Sequence, residues 1–187
     1  TPQVIDSFYN RLCIHYLREE RPGKSRALNA ALKLAGGALI VFTDDDVVPQ
    51  NDWLSQLYSA SQRYPNANIF GGCIEVNFDE VPSWIKNSYN LMGLLTSAHK
   101  LGNSDTFYKY GQYPFGPNMA IRRHLLTGYE KPYPEHLGPG TKLSVGDESA
   151  FFMQFSSPCA QDRIFIPSAR VSHEIESENI TFHSALR

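Results

Sequence analysis

Runs and spacings of apolar residues divide the chain into predicted strands and helices. An unbroken apolar run from Ala38 to Phe42 predicts a strand with both faces covered, as in a parallel sheet between helices. Spacings of three and four predict amphipathic helices over 25–35, 52–61 and from 147. Further strands are predicted at 67–76, 119–121, 163–167 and 171–173. This alternation predicts an α/β fold, a three-layer α/β/α sandwich with a mainly parallel sheet.

Helix starts and inner faces are also predicted from local pattern. Ser25 is the expected N-cap of the first long helix, since its hydroxyl can accept from a free backbone N–H. The inner face of the next helix is expected to carry four residues, Leu54, Leu57, Tyr58 and Ser61. No apolar strand precedes residue 11, so the fold is expected to lack its first strand.

The composition is that of a globular protein and excludes several functional classes. With 187 residues and 42% apolar residues, residues 1–187 are expected to form a single domain with a substantial core. A net charge of −2 argues against a nucleic-acid partner. No apolar run reaches the roughly 18–20 residues of a membrane span. The three cysteines are far apart, which predicts a reducing, cytoplasmic location without structural zinc or disulfides.

Three carboxylates, Asp44, Asp45 and Asp46, directly follow the predicted strand at 38–42. Adjacent carboxylates repel one another, and a divalent cation among them makes the arrangement favourable. Ligands of open α/β sheets bind at the carboxyl ends of strands, where these acids lie. The pattern fits a metal and ligand site or, alternatively, a solvated acidic turn.

Charged residues also mark two helix starts. Arg21, Lys24 and Arg26 lie where a helix begins, and the positive end of its dipole suits an anion such as a diphosphate. Asp147 and Glu148 open a later helix, where carboxylates are favourable to the dipole without any further role. The basic residues, likewise, could only solvate a loop.

Two further features leave two interpretations each. Gly71 and Gly72 interrupt a predicted strand, and they indicate either close approach of a ligand or a β-bulge. Segment 99–115 lacks periodicity but holds five aromatic rings, Phe107, Tyr108, Tyr110, Tyr113 and Phe115. In one interpretation the segment is mobile and contacts a sugar or acceptor. In the other, its rings fill the core beneath it.

Taken in order, these motifs resemble the family 2 glycosyltransferases with the GT-A fold. The matching segments are RPGKSRALNAAL (21–32), ALIVFTDDDVVPQNDWL (38–54), GPNMAIRR (116–123), GDESAFF (146–152) and IFIPSARVSH (164–173). The resemblance implies an inverting, metal-assisted transfer of a sugar from a nucleotide diphosphate sugar, in polysaccharide biosynthesis. It implies Mg²⁺ or Mn²⁺ as cofactor and a saccharide or lipid-linked acceptor, with peripheral association at the inner face of the membrane.

The resemblance also implies roles for individual residues. The implied metal ligands are Asp44, Asp46 and His173. The implied general base is Glu148 by position or Asp147 by side-chain type. The implied substrate-binding residues are Lys24, Arg26, Asn29, Asp44, Asp45, Gly72, Trp84 and Asn118. The family begins with a strand and an acidic residue that hold the nucleotide base, so the domain is expected to be incomplete at its N-terminus.

Two other functions fit part of the sequence. A haloacid dehalogenase-type phosphatase has an apolar strand followed by a nucleophilic aspartate, which Asp44 would supply, with Asp46 two residues later. That class expects a second acid after its later acidic motif, and positions 150 and 151 hold none. A catalytically inactive sugar-binding relative is the other alternative. An EF-hand is excluded, because Val48 and Pro49 occupy ligand and turn positions.

Overall fold

The computed structural model describes residues 2–76, 93, 96–143, 145–155 and 161–174. The α-helices described are α1 Pro2–Asp6, α2 Lys24–Leu34, α3 Trp53–Arg63 and α4 Asp147–Gln154. The strands described are β1 Leu39–Phe42, β2 Val47–Pro49, β3 Ile69–Val76, β4 Thr106–Phe107, β5 Met119–Arg122 and β6 Arg163–His173. Short 3₁₀ helices cover Gly116–Asn118 and Arg123–Leu126.

Contacts divide the chain into two compact units. The first contains the described residues of Thr1–Gly36 and Gly128–Gln154, and therefore α1, α2 and α4. The second contains the described residues of Gly37–Thr127 and Phe155–Arg187, and therefore α3 and the whole sheet.

The β-sheet of the second unit is mixed. Its strand order is β1-β5-β3-β6-β2, and β4 also pairs with β6. Only β3 and β6 pair in parallel among the described strands. The α/β class is confirmed, but the sheet is mixed rather than mainly parallel. The reason is that β5 returns antiparallel between β1 and β3, while β2 and β4 run antiparallel beside β6.

Protein covers the two central strands on both faces. One face packs against α3, and this core cluster includes Trp53, Leu57, Ala60, Phe70, Ile74, Ala120, Ile164, Ile166 and Val171. On the other face, Cys73 and Phe165 pack with the buried ring of Tyr108. Burial on both faces explains the stretches of these strands that lack polar residues, 69–74 in β3 and 164–166 in β6.

Local predictions of the two long helices need two corrections. Ser25 does not cap α2, because its hydroxyl donates to the Leu137 carbonyl at 3.0 Å, and the N-cap is Gly23 with φ +129°. In α3, Leu54 and Tyr58 are exposed rather than inward-facing. The residues that are buried are Trp53, Leu57, Ala60 and Ser61.

A β-bulge interrupts the pairing of β3 with β6. Gly72 pairs with Ile166, but Cys73 pairs with Arg170, so three residues of β6, 167–169, have no partner on β3. A side chain at Gly72 would collide with the Asn118 amide and the Ala169 carbonyl oxygen. The bulge interpretation of these glycines is therefore the one that the structure supports.

His99 is a buried histidine that should make stability depend on pH. Its Nε2 lies 2.7 Å from the Tyr108 hydroxyl, and burial lowers its pKa from 6.5 to about 4. Below pH 6.5 the unfolded chain binds a proton that the folded chain excludes, so stability falls as the pH drops from about 6.5 to about 4. At about 1.4 kcal/mol per pH unit, the expected loss is about 3 kcal/mol.

Denaturant unfolding at pH 7.5, 5.5 and 4.5 measures this effect. His99→Gln keeps a hydrogen-bonding group near the Tyr108 hydroxyl but does not titrate, so most of the pH dependence should disappear. The matched control is His15→Gln, because His15 is exposed. Equal pH slopes for wild type and His99→Gln would contradict the prediction.

Candidate functional site

The acidic segment lies at the carboxyl end of β1 in the second unit. Asp45 and Asp46 are exposed, and Asp44 is half-buried. Antiparallel pairing of β2 with β6 puts Val47 opposite His173. Asp46 Oδ2 consequently lies 3.3 Å from His173 Nε2. The next residue after β6 strengthens this junction, since the Glu174 N–H donates to the Asp46 carbonyl at 2.9 Å.

The hydrogen bond at the other ring nitrogen fixes the tautomer of His173. Its Nδ1 lies 2.8 Å from the Thr96 carbonyl oxygen, which can only accept, so Nδ1 carries the hydrogen. In the neutral ring, Nε2 then presents a lone pair to the Asp46 carboxylate. The Nε2 lone pair and the carboxylate oxygen are both hydrogen-bond acceptors, so their contact is favourable only when a proton or a cation lies between them. Sequence reasoning missed Thr96, because a main-chain carbonyl gives no side-chain signal.

Asp46 and His173 fit a divalent cation. Two ligands at about 2.1 Å and at right angles around an ion are about 3 Å apart, close to the observed 3.3 Å between Nε2 and Oδ2. A histidine that binds metal through one nitrogen usually donates its other N–H to a carbonyl or carboxylate. In the described ranges, no group of three or more His, Cys, Asp or Glu side chains could hold a metal. Water and phosphate oxygens are further ligands that a metal beside Asp46 and His173 could bind.

The first unit contains the basic helix start and the second acidic motif. Lys24, the first residue of α2, lies 3.8 Å from Glu148 in the first turn of α4, and their side chains are 29% and 26% exposed. Arg26 donates to the Pro22 carbonyl at 2.7 Å and lies 3.7 Å from Glu135. The cations of this helix start therefore already have partners inside the unit.

Asp147 differs from Glu148 in its surroundings. It is 6% exposed, and its Oδ2 is buried without a hydrogen-bond partner in the part of the chain that the structure describes. Gly138, at φ +89°, packs against it so closely that a Cβ there would lie 2.6 Å from the Asp147 Cγ. Of these two acids, Glu148 therefore makes the ion pair with Lys24, and Asp147 is the buried one.

Several residues predicted to bind substrate have structural partners instead. The Asn29 amide donates to the Tyr133 carbonyl at 2.8 Å and accepts from the Tyr133 N–H at 2.9 Å. Asn118 is 0% exposed, and protein atoms use both ends of its amide. Protein atoms therefore satisfy the amides of both side chains and also fill the space beside Gly72, while substrate contact by these residues stays a prediction. Trp84 lies outside the described residues.

The five aromatic rings of segment 99–115 divide between packing and exposure. Tyr108 is fully buried, Phe107 packs on Tyr64 with ring centroids 5.9 Å apart, and Tyr113 lies 4.7 Å from the Arg163 guanidinium. Phe115 packs against the core. Tyr110 alone among the five is largely exposed, at 88%. Core filling therefore explains Tyr108 and Phe115, whereas Phe107 is 39% exposed, and acceptor contact stays a prediction for Tyr110.

Comparison with known proteins agrees with this fold. S. aureus TarS 1-349 is 15% identical with a TM-score of 0.60, covering 92% of this chain and 47% of TarS. The same fragment with UDP-GlcNAc is 16% identical with a TM-score of 0.60, covering 100% and 48%. A mycobacterial protein is 17% identical with a TM-score of 0.52, covering 94% and 49%. The chain thus spans about half the length of these structures.

Two other comparisons concern sequence and membrane spans. No curated protein matches the chain. Within the described residues, no helix has the length and apolar character needed to cross a bilayer.

Residues 1–131 match the family described as Glycosyl transferase family 2. Since that match covers well over half of the 187 residues and the fold agrees, the chain belongs to glycosyl transferase family 2, with the GT-A fold.

Proposed function

We propose that this chain transfers a sugar from a nucleotide diphosphate sugar to an acceptor hydroxyl, with inversion and with help from Mg²⁺ or Mn²⁺. The observation that carries the proposal is the contact of Asp46 with His173 at the carboxyl end of β1. Family membership supports glycosyl transfer, and the similar TarS fragment has been solved with UDP-GlcNAc and with UDP. A uridine diphosphate sugar is therefore the first donor to test.

Residues of the second unit are proposed to hold the donor diphosphate. Asp46 Oδ2 and His173 Nε2 would bind the cation, with the Thr96 carbonyl keeping the ring in the required tautomer. When bound, such a cation stabilises the negative charge that develops on the leaving diphosphate. Asp44 and Asp45, which precede Asp46, are proposed to contact the nucleotide and to contribute to the same acidic edge.

Glu148 of the first unit is proposed as the general base. An inverting transfer needs one carboxylate that removes the acceptor proton as the hydroxyl oxygen attacks and the diphosphate leaves. Glu148 is more accessible than Asp147, which is 6% exposed. Lys24 Nζ lies 3.8 Å from the Glu148 carboxylate. Lys24 and Arg26 are also proposed to offer positive charge to the diphosphate.

The remaining parts of the proposal concern the acceptor and the setting. A saccharide or lipid-linked acceptor in polysaccharide biosynthesis, reached at the inner face of the membrane, is proposed from the family resemblance. Residues 1–187 are proposed to act as one transferase domain. It also stays a prediction that Asp44–Asp46 and Gly146–Glu148 line one cleft.

Donor turnover tests the proposal. The chain would be incubated with UDP, GDP and dTDP sugars and Mn²⁺, and release of free nucleotide diphosphate measured with and without chelator. We expect metal-dependent release from one donor class, lost in Asp46→Asn and in Glu148→Gln. Donor binding without release from any donor would indicate an inactive sugar-binding relative. Phosphate release from small phosphoesters through Asp44 would indicate the phosphatase instead.

A further inference from the structure

The connection from β1 to β2 is too short for a flat sheet. These strands lie four positions apart in the strand order, which is about 19 Å at about 4.8 Å per step. Phe42 is level with Gly71 of β3, whereas Val47 is level with Val76, about 16 Å further along the strand. A flat sheet would therefore separate Phe42 from Val47 by about 25 Å. Residues 43–46 allow at most about 18 Å.

A bend in the sheet explains how this connection closes. The bulge at Gly72 and at 167–169 divides β3 and β6 into a lower half and an upper half. The lower half pairs with β5, and the upper half of β6 pairs with β2 and ends at His173. Bulges bend a strand and increase its twist. The bend therefore brings β2 within reach of β1. The segment that joins them, with Asp44, Asp45 and Asp46, then passes the edge of the sheet next to His173.

The side chain of Asn118 fastens this bend. Its Nδ2 donates to the Cys73 carbonyl and to the Ala169 carbonyl, both at 2.9 Å, so it ties β3 to the bulge of β6. Its Oδ1 accepts from the Trp53 indole N–H at 2.8 Å, which joins the bend to the start of α3. The residue is 0% exposed, so no water competes for these bonds.

We propose that Asn118 is a positioning residue for the site formed by Asp46 and His173. By fixing β3 to the bulge of β6, it sets the separation of the Asp46 carboxylate from the His173 ring. The metal at this site rests on the proposed function. The role of Asn118 in setting the distance between Asp46 and His173 does not depend on it. It replaces the predicted substrate contact of Asn118 with an indirect role through the sheet.

Binding of Mn²⁺ alone, measured by electron paramagnetic resonance of the free ion, tests the role. Asn118→Ser removes both amide donors, and we expect roughly 10–100-fold weaker binding, the usual effect of losing a residue that orients ligands. Trp53→Phe keeps an aromatic side chain but removes the indole N–H that orients the amide, so a smaller loss in the same direction is expected. It supplies the test if Asn118→Ser fails to fold.

Ile164→Val is the matched control, because Ile164 is buried in the same core cluster but lies below the bulge. It should lower the melting temperature while leaving Mn²⁺ affinity unchanged. The proposal is overturned if the folded Asn118 and Trp53 variants bind Mn²⁺ like wild type, or if the control loses as much affinity.

If the wild-type protein binds no Mn²⁺, the proposed metal site is wrong. The role of Asn118 is then tested through the ring nitrogens of His173. Their nuclear magnetic resonance shifts report the bonds to the Thr96 carbonyl and to the Asp46 carboxylate. Shifts that change in Asn118→Ser or Trp53→Phe, but not in Ile164→Val, support positioning. Unchanged shifts in both variants overturn it.

Discussion

Replacing Glu148 with glutamine is expected to lower the turnover number by at least about 100-fold, the lower end of what a general base contributes. Donor and Mn²⁺ binding should change little, because the proton of the acceptor hydroxyl matters only in the chemical step. Glutamine keeps the length of the side chain but cannot accept that proton. The measurement compares turnover at saturating donor with donor affinity by calorimetry.

Asp147→Asn is the matched control for this prediction. Asp147 also belongs to the first turn of α4, but it is buried against Gly138. The amide should therefore retain turnover and should not destabilise the fold, since it removes a buried charge that has no hydrogen bond at Oδ2. If Asp147→Asn is inactive and Glu148→Gln is normal, Asp147 is the base. Full turnover in both would leave this motif only as a helix start.

Replacing Asp46 with asparagine should weaken Mn²⁺ binding in the presence of UDP by at least about 100-fold, more than is typical for residues that only orient ligands. Asparagine keeps the shape of the side chain but removes the charge that faces His173 Nε2. His173→Gln should weaken binding in the same direction, since it removes the nitrogen ligand. Calorimetric titration with Mn²⁺ and UDP measures both effects.

The control for charge alone is Asp52→Asn. Asp52 is an exposed carboxylate before α3 whose Oδ2 accepts from the Gln56 amide at 2.8 Å. Its replacement changes the net charge by the same amount, so its Mn²⁺ titration should match wild type. An unchanged titration of Asp46→Asn would remove Asp46 from the metal site.

Local pattern predicted the elements of this fold better than their pairing. The strand at 39–42 was predicted from its apolar run, although Leu39 and Val41 are only half-buried rather than covered as the run predicted. The direction of the strands was not predicted correctly. It depends on β5 lying between β1 and β3, an arrangement made by contacts between residues distant in sequence. The order of the site motifs supplied the family resemblance, which no single motif specifies.

Side-chain roles were harder to predict, because residue type does not reveal burial. Asn29 and Asn118 have the same amide whether it faces a ligand or a buried carbonyl, and here both face carbonyls. Adjacent side chains on a helix diverge by about 100°, so the order of Asp147 and Glu148 could not tell which one faces inward. The contact with Gly138 decides that.

The strand order also has a consequence for biosynthesis. Val47 pairs with His173, and Phe42 pairs with Met119, so these partners are 126 and 77 residues apart in the chain. None of the described ladders joins strands that follow one another in sequence. Such distant pairing slows folding, because loop closure precedes any gain from contacts. A nascent chain therefore cannot complete this sheet until β6 has left the ribosome, and its apolar strands depend on protection until then.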